Sequence, residues 1–270
     1  MRLPPKSFLA YPVVSVIFRH RYSINKREIL LTPENATELI DSLKEKFSSN
    51  IDTDYVESMK KLVDDENRVM GVRVPIIKSI TNDFMKEHGK ELDTNDLLTL
   101  ADECFKTEGR EEQLFAVFAL SKRVKKMDRD AWRLIDNWVD YISNWETCDQ
   151  LATQFAGKIL LANIDLITDL KKWAKQTNVW RRRFAAASTV ALNHAGHSNP
   201  TATFEVLRPL VADNNPMVRK AVAWAIREAA RADENSAYLF LKEVKDVAVP
   251  YVLKYGSEKL TDAHLKELGL

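Results

Sequence analysis

The chain has 270 residues, 45% hydrophobic and 29% charged, with a net charge of +1. That length and balance support a sizeable core and exclude a disordered chain. Only 7 Gly and 9 Pro argue against a turn-rich all-β protein, and no stretch reaches the roughly 18 apolar residues of a membrane helix.

The first 27 residues carry no acidic side chain, while Arg2, Lys6, Arg19, Arg21, Lys26 and Arg27 are basic. Between them lies an apolar run from Phe8 to Phe18, interrupted by Pro12. A basic start and a short apolar run resemble a signal peptide, but Arg19-His20-Arg21 follows where a small-residue cleavage site is needed. Residues 1–31 are therefore expected to be a poorly ordered N-terminal extension, and residues 32–270 a single domain.

Thr32-Pro33-Glu34 is a helix start, with Thr as N-cap and Pro at the first helical position. The first helix is expected to end near Phe47, before Ser48-Ser49-Asn50. Asp52-Thr53-Asp54 caps a second, with Tyr55, Met59 and Leu62 on one face. In the connector that follows, Gly71 permits a positive φ and Pro75 opens the next helix, with Gly89 as its expected C-cap. Thr94-Asn95-Asp96 begins another.

After Gly109 longer helices and a repeat are expected. A step of 36 residues aligns Phe115, Leu151, Ala187 and Ala223, and brings Asn144, Trp180 and Pro216 together at helix starts. Residues 128–142, 164–175 and 201–212 read as the second helix of each pair. Helix pairs at this period are the signature of HEAT-like repeats, which bury their apolar faces by stacking. The expected fold is all-α, a right-handed α-α superhelix (solenoid) of HEAT-like helix pairs.

Several chemistries are absent from the sequence. Seven scattered glycines make no phosphate loop, there is no His-Glu-x-x-His, and no Gly-x-Ser-x-Gly elbow. His194 and His197 lack a third ligand nearby, so no metal or other cofactor is expected. Cys104 and Cys148 lie in helical patterns without metal spacing, which suggests a reducing, cytoplasmic compartment and no disulfide framework.

What remains is aromatic and charged. Trp132, Trp138 and Trp173 read as core. Trp145 differs because Asp149 lies one helical turn away, on the same side. Trp224 differs because Arg227 and Arg231 follow at i+3 and i+7, which an ordinary core stripe avoids. Between Arg181 and Arg231 there are eight basic against three acidic side chains, a local charge of +5 in a nearly neutral chain. That window is either a set of solvated helix faces or a concave basic surface for a phosphate backbone.

Four blocks, in order, resemble the DNA alkylation repair enzymes of the AlkD type, HEAT-like-repeat DNA glycosylases. They are Val69-Met70-Gly71-Val72-Arg73-Val74-Pro75, Asn144-Trp145-Glu146-Thr147-Cys148-Asp149, Asn178-Val179-Trp180-Arg181-Arg182-Arg183, and Arg219-Lys220-Ala221-Val222-Ala223-Trp224-Ala225-Ile226-Arg227-Glu228. The resemblance spans residues 54–255. It implies excision of cationic N3- and N7-alkylated purines from double-stranded DNA by hydrolysis of the N-glycosidic bond, without base flipping. It places the catalytic residues on Asp149, Trp145 and Trp224 and a DNA-backbone contact on Arg183; Arg182, Lys220 and Arg227 extend that basic face. A helper aromatic on the second helix falls on Ser58. A solenoid that wraps DNA needs no partner subunit, so a monomer is expected. The rival readings are a non-catalytic HEAT-repeat DNA-binding protein and a protein-binding HEAT scaffold.

Overall fold

The structure, a computed structural model, describes residues 31–60 and 68–270. The expected extension, apart from Leu31, and the Leu62 assigned to the second helix lie outside the described residues. Leu31 is itself buried, with its N–H donating to Asp96 Oδ1 at 2.7 Å.

The described residues contain helices and no strand. In chain order they are α1 (Pro33–Ser48), α2 (Thr53–Lys60), α3 (Val74–Glu87), α4 (Thr94–Lys106), α5 (Arg110–Ser121), α6 (Arg129–Trp138), α7 (Trp145–Gln150), α8 (Gly157–Ala162), α9 (Ile167–Trp173), α10 (Val179–Ser188), α11 (Pro200–Leu207), α12 (Pro216–Ala232), α13 (Glu234–Val244), α14 (Pro250–Gly256) and α15 (Asp262–Leu268). A π-helical turn, Leu151–Ala156, joins α7 to α8.

Polar side chains start most of these helices, as their spacing predicts. Thr32 accepts from Asn35 N–H, and Asp93 and Asp96 form a reciprocal capping box at α4. Asn144, Asn178 and Asn215 cap α7, α10 and α12. Their positions show that the repeat is not a constant 36-residue step: Asn178, not Trp180, is the counterpart of Asn144. Nor are the helices after Gly109 uniformly long, because α6, α10 and α11 each finish in a 3-10 turn. α3 closes on His88, one residue before Gly89.

Two rows of helices stack on one another. One row runs α3, α5, α7, α10, α12, α14; the other runs α4, α6, α9, α11, α13, α15, with α1 packed beside α4. A single buried core runs between them from Leu31 to Leu268. Trp132, Trp138 and Trp173 belong to it as expected. Phe105 stacks on Trp138 at 4.9 Å, and Trp132 on Trp173 at 5.5 Å. These stacks join successive repeats, so each pair covers the apolar face of the next.

Two glycines are dictated by close approach. Gly71 has φ +94°, and a Cβ there would lie 2.1 Å from Val56 Cγ2. Gly157, just after the π turn, lets α8 approach Ala191, whose Cβ would be 2.5 Å from an added one. Gly71→Ala combines left-handed strain with a clash, so a loss of about 2–3 kcal/mol is expected in urea unfolding. Wild-type stability in that variant would show that the turn relaxes freely.

Candidate active site

The site begins with the local structure of α7. Asn144 is buried, and its Oδ1 accepts from Thr147 N–H at 2.9 Å. That cap fixes Trp145 as the first helical residue and puts Asp149 one turn on, along the same face. Two residues after Asp149 the helix widens into the π turn. Such turns insert one residue into a helix and concentrate at functional sites. Here the turn changes which face α8 presents relative to α7. Thr153, inside it, donates its hydroxyl to the Asp149 carbonyl at 2.7 Å.

Asp149 and Arg183 meet across α7 and α10. Arg183 Nε donates to Asp149 Oδ1 at 2.9 Å and Nη2 to Oδ2 at 2.6 Å. The third arm, Nη1, donates to the Met217 carbonyl in the first turn of α12 at 2.6 Å. One guanidinium thus ties three successive repeats together. Both side chains are largely covered, with 16% of Asp149 and 6% of Arg183 exposed. Burial raises the Asp149 carboxyl above its ordinary value of 3.8, and Arg183 opposes that shift. Burial works against the Arg183 charge, but the neighbouring carboxylate outweighs it and raises its pKa.

Trp145 and Trp224 are half-buried. Trp224 lines a cavity of about 510 Å³ with Thr153, Gln154, Lys158, His194 and His197. Thr153 lines this cavity and also holds the Asp149 carbonyl, whereas Asp149 and Trp145 do not line it. Lys220 is exposed on α12, four residues before Trp224 and so on the same side.

The other candidate cations are engaged within the protein. Arg182 Nε donates to Asp213 at 2.7 Å, and its Nη1 reaches the carbonyls of Gln176 and Thr177. Arg227 pairs with Glu258 at 3.0 Å. Arg181 turns away to Asp136 and Asp140.

Sequence reasoning missed a buried network beneath α7. Arg110, fully buried at the start of α5, donates to Glu146 Oε2 from Nε at 2.8 Å and from Nη2 at 2.6 Å. Its Nη1 donates to Glu111 at 2.6 Å and to the Val72 carbonyl at 3.0 Å. Glu111 in turn accepts the backbone N–H groups of Met70, Gly71 and Val72 at 3.0–3.1 Å. The block from Val69 to Pro75 is thus a turn gripped by one carboxylate. Arg110 Nη2 also donates to the Tyr55 hydroxyl at 2.9 Å. Ser58 is exposed, its hydroxyl donating to the Asp54 carbonyl, so the aromatic that α2 turns toward this network is Tyr55. The available signal was Arg110-Glu111-Glu112 at a helix start, where an arginine is unfavourable unless paired.

Comparison with known proteins bears on the fold and the family. A solved structure, "Predicted DNA alkylation repair enzyme from Enterococcus faecalis", is similar with a TM-score of 0.61 at 17% identity, covering 72% of this chain and 89% of that one. At that identity the likeness establishes the fold. No curated protein matches the chain. A family model for the DNA alkylation repair enzymes matches residues 43–260, and so the chain belongs to the DNA alkylation repair enzyme family.

Proposed function

We propose that the protein is a DNA glycosylase that hydrolyses the N-glycosidic bond of cationic N3- and N7-alkylated purines in double-stranded DNA. The observation that carries this is the covered Asp149 carboxylate, held at two points by Arg183 and one turn from Trp145.

An N3- or N7-alkylated purine already bears positive charge and leaves as a neutral base, so little general-acid help is needed. As the bond breaks, positive charge develops on the deoxyribose. An ionised carboxylate beside C1′ stabilises that charge and orients the attacking water. Two contacts from Arg183 occupy about half of the acceptor sites of Asp149, which leaves sites for water and sugar. Arg183 has five N–H groups. Three are committed to Asp149 and Met217, and the other two would carry the contact to a phosphate oxygen. Trp145 and Trp224 present π faces to the cationic sugar and base. Lys220 is placed to contact the backbone, and Arg182 and Arg227 stiffen the same face through their carboxylates. Because the carboxylate and its water act on the sugar rather than on the base, the purine need not be flipped out of the duplex. The protein works as a monomer without a cofactor.

Hydrolysis without a general acid requires a cationic leaving group. Duplexes carrying 7-methylguanine or 3-methyladenine should lose the base, and a duplex with neutral O6-methylguanine should not. Loss of the neutral lesion at equal rate would sink the mechanism. Salt-sensitive binding with no base released would favour the non-catalytic DNA-binding reading, and no affinity for DNA at low salt the protein scaffold.

A pH dependence follows. Asp149 acts ionised and its pKa is raised, so activity is present above that pKa and is lost as pH falls through it. The acid limb of the rate profile, corrected for spontaneous depurination, should lie above 3.8. Arg183→Met removes the cation that opposes burial and should move the limb to higher pH. A limb that stays in place would detach it from this pair.

A further inference from the structure

The cations of α12 and α14 fall into two sets. Arg227 and Arg231 on α12, and Arg182 and Arg183 beside them on α10, each hold a carboxylate. Arg219, Lys220 and Lys254 have no carboxylate partner among the described residues. Two of the three lie over tyrosine rings instead. Arg219 Cζ sits 5.0 Å from the centre of Tyr251, and Lys254 Nζ 5.3 Å from that of Tyr255. The two rings, one turn apart on α14, pack at 4.3 Å with a tilt of 39°. Arg219 Nε is buried without a hydrogen-bond partner among the described residues. Glu258, just beyond α14, is engaged by Arg227.

A cation resting on an aromatic face keeps its charge and, with no carboxylate partner, keeps N–H groups uncommitted for a ligand. Lys220 and Lys254 come from adjacent repeats, and packed helices lie about 8–10 Å apart. That distance is the rise of roughly three nucleotides along one strand. A free phosphate could engage one of these cations, whereas a phosphodiester chain could engage the series. Lys220, next to Arg219 in the chain, shares its side of α12 with Trp224 and links the strip to the candidate site.

We propose that Arg219 and Lys254, carried on Tyr251 and Tyr255, form a second phosphodiester-binding strip that extends the DNA-contacting face from α12 onto α14. This rests on the reading of the Asp149 and Trp224 face as the one that meets DNA. Tyr251 and Tyr255 are positioning residues, and the strip tracks backbone without reading sequence.

The test is a salt titration of affinity for an unmodified duplex, with base release from methylated duplex measured on the same preparations. Arg219→Gln with Lys254→Gln should lower the slope of log K against log salt by about two, since each phosphate contact contributes about 0.9, and weaken binding at least tenfold at low salt. Lys254→Gln alone, at an exposed position, should lower it by about one. Tyr251→Leu with Tyr255→Leu should weaken binding, and the corresponding Phe pair should not. Wild-type binding with an unchanged slope in both cation variants overturns the strip alone. The expected slope changes with no base released by wild type leave the strip standing and overturn the glycosylase reading. Absence of salt-sensitive binding in the wild type overturns both.

Discussion

Asp149→Asn should lower single-turnover release of 7-methylguanine by about 100- to 1000-fold, the effect of removing one pre-oriented charge from the reacting centre, about 3–4 kcal/mol. Asn is nearly isosteric and still offers Arg183 one acceptor. What it removes is the full negative charge that balances the developing sugar cation. DNA affinity should be retained or tightened, because an anion has been taken from a surface that meets phosphates. Arg183, itself largely buried, loses its counter-charge, so a melting curve must accompany the assay. A folded variant with wild-type rate would remove Asp149 from the chemistry. A folded variant that no longer binds would make it a structural residue for the interface.

Arg110→Met should be the most destabilising single change on this face. Arg110 is fully buried and meets Glu111, Glu146, Tyr55 and the Val72 carbonyl. Met fills most of the volume but leaves the Glu146 carboxylate without its cation. Breaking a buried pair in this way costs about 3–5 kcal/mol, or on the order of 10 °C in melting temperature for a chain of this size. Adding Glu146→Gln should recover part of the loss. Glu111, fully buried, would still lack its Arg110 partner, so recovery should be incomplete. A single variant that melts within a degree of wild type would show that water or a neighbour replaces the guanidinium. The network also supports the start of α7, so base release should fall further than the loss of folded protein explains.

Local signals were legible in the sequence, and contacts between repeats were not. The helix starts at Thr32 and Asn144 follow from short-range capping chemistry and emerge as expected, and the helix expected at Thr94 begins there, capped by the preceding Asp93. Trp145 and Asp149 share a face because a single turn separates them. The 36-residue step found the repeat but misplaced its register, since it set Trp180 opposite Asn144 where the cap is Asn178. A π turn inside one repeat changes the count of residues per turn, and nothing in Leu151-Ala152-Thr153-Gln154-Phe155-Ala156 announces it. The run Arg181-Arg182-Arg183 shows why charge counting falls short. In sequence it is a block of positive charge. In the fold its members go to Asp136 and Asp140, to Asp213, and to Asp149, all from other elements. Arg110 and Glu146 are separated by 36 residues, and their pairing became visible only once α5 and α7 were stacked. Tyr55 could be placed only on one face of α2 with Met59 for the same reason, since its partner lies on α5.

The most direct measurement of the proposed glycosylase activity is single-turnover digestion of a duplex with one 7-methylguanine by saturating protein, with the free base detected by mass. Wild-type protein should release 7-methylguanine and leave an abasic site in that strand, at a rate well above spontaneous depurination. A duplex that is fully bound yet keeps its methylated base at the spontaneous rate would contradict it.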